Sequence, residues 1–126
     1  MRSLPTHSPS NVAALDPRDP NAGSASHCYG IQHADPKEVV RIQFQHGARR
    51  AVGSVSGIFD DDLLAILEDR LVGFESGPFA CEENAEALQH IRKAREALGR
   101  RVATRMSQGI LGVNQAHAKP GVPGKE

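Results

Sequence analysis

Between Val39 and Gln45 the chain alternates, with Val40, Ile42 and Phe44 on one side and Arg41, Gln43 and Gln45 on the other. A period of two marks a half-buried strand. His46-Gly47 turns the chain, and Ala48 to Ser56, which carries Val52 and Val55, reads as a second strand antiparallel to the first. His27-Cys-Tyr-Gly-Ile31 is mildly apolar and reads as a further short strand ahead of a turn at Asp35-Pro36. The period then changes. Leu63, Leu64, Leu67, Leu71 and Phe74 recur at steps near three and four, which predicts an amphipathic helix of about four turns. Asp60-Asp61-Asp62 opens it, with acids suited to the positive end of the helix dipole, and Gly73 and Ser76-Gly77 close it.

A second helix is predicted from Phe79 to about Gln108, with Pro78 at the first helical position and Gly109 as the stop. Its roughly 30 residues would make a rod ~45 Å long. Ala85 or Leu88, Ile91, Leu98 and Val102 form its apolar line, which Arg95 interrupts. Residues 1–25 hold Pro5, Pro9, Pro17 and Pro20 among Ser, Asn and Asp, and read as a disordered or loosely attached N-terminal arm. Residues 26–114 form the folded domain, in which the apolar Ile110-Leu-Gly-Val113 folds back, and 115–126 read as a flexible C-terminal tail. The expected fold class is α+β: a small antiparallel β-sheet of two or three strands packed on a C-terminal two-helix antiparallel hairpin with one long helix. A sheet so small is not stable alone and must lie on helices.

Composition adds one constraint. With 126 residues, four Phe, one Tyr and no Trp, a single core is marginal, and burial against another copy is expected. No apolar run reaches the length of a membrane span, and the N-terminus lacks the pattern of a secretory signal, so a cytosolic protein is expected. Cys28 and Cys81 read as buried free thiols, not a disulfide framework. The six histidines are scattered, no two at ligand spacing on a common helix, so no metal site is expected.

Catalytic groupings are missing. The chain has no nucleophile–base motif, no phosphate-binding glycine loop, no HxxxH and no CxxC, which argues against an enzyme and against a cofactor. Asp60-Asp61-Asp62 is read as a helix start and not as a metal-binding run. Cations gather in the second half of the long helix. Arg92, Lys93 and Arg100 suit a solvated face, whereas Arg101 and Arg105, four apart, present two guanidinium forks on one face, a natural phosphate or pyrophosphate clamp. Arg49 and Arg50 at the sheet hairpin would add another cation. Phe74 has two readings, a staple for the hairpin core or a surface for stacking a base. Asn84 places an amide where Ala or Glu would be the better helix former. From Asn84 to Arg101 is 17 positions, ~25 Å along one helix axis. For all these groups to serve one small nucleotide, two chains must run antiparallel in a two-fold dimer with two equivalent pockets.

These residues also carry a resemblance. Phe44-Gln-x-Gly, Asp61-Asp-Leu-Leu-Ala-Ile-x-x-x-Arg-Leu71, Gly73-Phe-x-Ser-Gly-x-x-Ala-Cys-x-Glu-Asn-Ala85 and Arg101-x-x-x-Arg105-x-x-x-Gly109 resemble the phage anti-Thoeris sponge family, relatives of anti-CBASS sponges, over residues 27–113. The block from Gly73 to Ala85 is its most specific part. The resemblance implies a non-enzymatic trap in the host bacterial cytoplasm. It would hold cyclic ADP-ribose isomers such as glycocyclic ADP-ribose, made by TIR-domain enzymes, intact at a dimer interface. Some such proteins form hexamers, trimers of dimers, that also hold cyclic trinucleotides in separate sites. Carried over by position, Phe74 stacks on adenine with Asn84 as a hydrogen-bonding neighbour. Arg101 and Arg105 meet the pyrophosphate and ribose, and Arg49 assists. The tail Gln108-Gly-Ile-Leu-Gly-Val113 departs from the Arg-Gly-Val-Glu-Gly-Thr often found there. Two other readings remain: a small dimeric helical nucleic-acid binder, disfavoured by zero net charge, and a plain oligomerisation module.

Overall fold

The computed structural model describes residues 1–33, 39–48 and 52–107. The element order is four strands followed by two helices, an α+β chain. It divides into two compact units, one of Met1–Ile58 and one beginning at Phe59.

The first unit is built on an antiparallel meander: β1 (Arg2–Leu4), β2 (Asn11–Ala14), β3 (Cys28–Gln32) and β4 (Val39–Gln43), in that spatial order. Four strands replace the expected two or three. The two extra ones come from the segment expected to be a loose arm. The register explains why such a polar segment pairs. Leu4 faces Val12, Val12 faces Ile31, Ala14 faces Tyr29, and Ile31 and Tyr29 face Val40 and Ile42. Directly opposed residues share a sheet face, so one apolar face runs across all four strands. Ala14, fully buried, is its most enclosed residue. Tyr29 meets Phe44 edge to face at 5.7 Å, and Gly30 on the other side leaves room for Leu15.

The return after His46 is not a continuous strand. It survives as an antiparallel bridge between His46 and Val55, which exchange both backbone hydrogen bonds at 2.8 and 2.9 Å, and a parallel bridge of Phe44 with Ile58. The second bridge brings Gly57 so close that a Cβ there would overlap the backbone of Gln43 and Phe44. Arg49, Arg50 and the turn at Asp35-Pro36 lie outside the described residues.

The second unit is a helical hairpin of α1 (Asp60–Glu75) and α2 (Glu82–Ser107). The three acids open α1 as expected, and Asp62 closes its first turn by accepting the Phe59 N–H at 2.8 Å. The start of α2 differs from expectation. Gly77 and Ala80 donate into tight turns, to Phe74 and Gly77 carbonyls, so Pro78 and Phe79 belong to the link and not to the helix. Cys81 caps α2 instead. Its Sγ accepts the Asn84 N–H at 3.4 Å, its carbonyl accepts Ala85 N–H, and its own N–H goes to the Glu75 carboxylate at 3.0 Å. Gly109 and the tail lie outside the described residues.

Arg95, the break in the apolar line, fastens α2 to α1. Its Nε and one terminal nitrogen grip both oxygens of Asp61 at 2.8 and 3.2 Å, and the other terminal nitrogen reaches Glu68 at 3.0 Å. Asp61 and Glu68, two turns apart, lie on one face of α1. Arg92 adds a looser contact to Glu68 at 3.6 Å. Apolar packing is thin by comparison: α1 buries no residue fully, and α2 only Leu88 and Arg105.

The hydrogen bonds and charge of Arg95 hold the Asp61 carboxyl below its ordinary value of 3.8. A folded pKa below the unfolded one stabilises above the unfolded value, and this contribution is lost as pH falls through the folded one. Arg95→Met should therefore lower the thermal midpoint at pH 7. The gap to the parent chain should close as pH drops well below 3.8 in circular-dichroism melts. A gap that persists in strong acid would make Arg95 a packing residue and not a clamp.

Candidate functional site

The sites expected from sequence separate by their place on the hairpin. Phe74, in the last turn of α1, and Asn84, in the first turn of α2, stand at the tip. Phe74 is 37% exposed, and the guanidinium of Arg70, one turn earlier, lies over its ring at 5.4 Å from the centroid. That cation–π contact occupies one face of the ring. Asn84 donates from Nδ2 to the Phe79 carbonyl at 3.3 Å, which spends one of its two amide hydrogens and leaves its side-chain oxygen available.

Beside these two lies a groove of about 440 Å³ lined by Glu75, Ala85, Leu88, Gln89 and Arg92. It has an apolar floor in Leu88 and carries a guanidinium, an amide and a carboxylate at its rim. Sequence reasoning set Arg92 aside as a solvated cation and overlooked Gln89. Arg92, four after Leu88, and Gln89, four after Ala85, carried the available signal in their spacing along α2. Cys81, expected to be buried, is exposed at the tip as the cap of α2.

Arg101 and Arg105 lie at the far end of α2, and they are not equivalent. Arg101 is exposed, whereas Arg105 is 7% exposed and has polar or electrostatic interactions of its own. Burial, reinforced by the Arg101 charge, pulls the Arg105 pKa down, though a guanidinium remains charged in any ordinary buffer. One chain therefore keeps its tip and its distal arginines apart by ~25 Å, as the helix rise demands. Arg49 lies outside the described residues. Among the described residues no helix is long and apolar enough to cross a membrane.

The hairpin thus has a short, hydrogen-bonded link, an aromatic near its tip and two arginines near its far end. The chain belongs to the Acb2/Tad1 hairpin-domain family, whose pattern matches residues 36–103. It is similar to Thoeris anti-defense 1 of Bacillus phage SBSphiJ7, with 31% identity over 78 residues, 62% of this chain and 54% of that relative. The chain thus spans about half the length of the relative it matches.

The two arginines predict different mutational behaviour without any ligand. Arg101→Ala should leave the thermal midpoint within a degree or so of the parent, as surface substitutions usually do. Arg105→Ala should lower it by several degrees, the consequence of removing a buried charged group of ~1.5–3 kcal/mol. Equal melts for the two variants would contradict the assignment.

Proposed function

We propose that this protein is a phage anti-defence protein that sequesters a cyclic ADP-ribose-type signalling nucleotide, such as glycocyclic ADP-ribose made by a bacterial TIR enzyme, and releases it unchanged. The observation that carries the reading is family membership through the hairpin itself, over a stretch that contains Phe74, Asn84 and Arg101. The name of the Bacillus phage relative supports the anti-defence role. In this reading Phe74 stacks on the adenine and Asn84 offers its amide beside it. Arg101, with Arg105 behind it, meets the pyrophosphate, and Arg49 assists from the sheet hairpin.

No single nucleotide spans ~25 Å, so the pocket is shared. The tip of one copy meets the distal arginines of another across a two-fold axis, giving two pockets per dimer. The hairpin surface favours such pairing. Ile66, Val102 and Met106 are 57%, 42% and 62% exposed on the two helices of one chain, apolar area that a second copy would cover. Whatever ligand enters must also move or share the Arg70 guanidinium on Phe74, or use the opposite face of the ring. Binding and release involve no bond breaking, in keeping with the absence of a catalytic grouping in the sequence.

The test is incubation with the product of an activated Thoeris TIR enzyme, then heating and mass spectrometry of what is released. One intact ligand per chain is expected, and a hydrolysed product would replace the trap with an enzyme. Arg101→Ala should weaken binding about 10- to 100-fold through loss of charge-assisted hydrogen bonds. Phe74→Ala should lose the ~1–3 kcal/mol of base stacking. Retention of nucleic acid in a low-salt gel shift, with no capture of the cyclic nucleotide, would favour the nucleic-acid-binding reading.

A further inference from the structure

The sheet unit gathers three ligating side chains that no helical spacing announces. Asp16 follows β2, His27 precedes β3 and His46 follows β4, and the meander delivers all three to one end of the sheet. One carboxylate oxygen of Asp16 and one ring nitrogen from each histidine lie within 4.8 Å of one another. The two rings are parallel, 5° apart, with centroids at 4.1 Å. His27 is 9% exposed, and its Nδ1 is buried without a hydrogen-bond partner. Such an orphan is costly in a folded interior unless something coordinates it.

The surroundings have the features of a prepared cation site. Asp16 is fixed by backbone N–H groups, from His27 at 3.0 Å and Cys28 at 2.9 Å, which leaves lone pairs unused on its carboxylate. His46 Nε2 is paired with Asp19 at 2.8 Å, the carboxylate–imidazole arrangement that orients metal-binding histidines. Partial burial works to raise the Asp16 pKa, but the N–H groups of Cys28 and His27 outweigh it, and the bond to His46 lowers that of Asp19. Both are carboxylates at neutral pH. A cavity of about 280 Å³, lined in part by Asp19, Asn21, His46, Gly47 and Ser54, reaches one member of the group, His46.

We propose that Asp16, His27 and His46 form a binding site for a divalent borderline metal ion of the zinc type, with Asp19 orienting His46 and water completing the shell. Two imidazoles and a carboxylate are a ligand set that zinc accepts, at about 2.0–2.2 Å from each. Tetrahedral coordination at those lengths sets ligand atoms ~3.4 Å apart, so a group whose atoms lie within 4.8 Å of one another must contract by at most ~1.4 Å. The parallel rings cannot both aim a lone pair at one ion. Binding therefore unstacks them, a rotation about a histidine torsion that is broad and soft. The site lies in the sheet unit, with ligands outside the residues assigned to the nucleotide, so the two functions can fail separately.

The experiment uses the full chain without a histidine tag, titrated with Zn²⁺ by calorimetry and followed by histidine side-chain ¹⁵N resonances. One Zn²⁺ per chain is expected, shifting His27 and His46 and leaving His7, His33, His90 and His117 in place. His46→Ala should weaken binding about 10-fold or more, as should Asp16→Asn, which keeps an oxygen for the backbone contacts. If a variant fails to fold, the wild-type resonance shifts still decide. No saturable binding, or binding that moves only the other histidines, overturns the proposal.

Discussion

An α-helix advances about 1.5 Å per residue and cannot fold its own ends together, so whatever α2 carries at Asn84 and at Arg101 stays ~25 Å apart. Phe74 lies on the other helix, and Arg95 fixes where that helix stands against α2. Its three hydrogen bonds tie the middle of α2 to Asp61 and Glu68. With so few residues buried between the helices, this charged clamp supplies register that apolar packing alone would leave loose. The tip and the distal arginines are thus rigidly placed but unable to meet within one chain, and the proposal of a pocket shared between two copies rests on that separation.

The sheet unit obeys a different logic. A meander of short strands has few large side chains to bury, and small residues let the rows approach, as Ala14 does against Tyr29 and Gly30 against Leu15. Polar side chains then do the bracing between segments. Asp16 holds the backbone entering β3, Gln43 donates to the His27 and Phe44 carbonyls, and Arg2 reaches Ser26. That bracing is what brings two histidines, one entering β3 and one following β4, into a parallel stack.

Periodicity made much of this legible. The alternation at Val40, Ile42 and Phe44 identifies β4, and the leucine spacing identifies α1. β1 and β2 escaped because Arg2–Leu4 has a single large apolar residue and Asn11–Ala14 has mostly small ones, too little for a period of two to stand out. Arg95 looked like a flaw in an apolar line because its partners lie 27 and 34 positions away. The start of α2 was misplaced because Pro78 satisfies a local rule, while the cap that won uses a sulfur atom and a glutamate from the other helix. The paired spacing of Arg101 and Arg105 was readable, but their unequal exposure depends on tertiary surroundings that spacing does not encode.

The most direct test of a pocket shared between copies is complementation, measured as cyclic-nucleotide binding after Phe74→Ala and Arg101→Ala chains are co-expressed and allowed to pair at random. Each variant alone lacks one half of every pocket. In a mixed dimer one pocket combines both defects and the other combines the intact Phe74 of one chain with the intact Arg101 of its partner, so about a quarter of all sites should recover full affinity. If the mixture binds no better than either variant alone, the two ends do not meet across a dimer and the account is wrong.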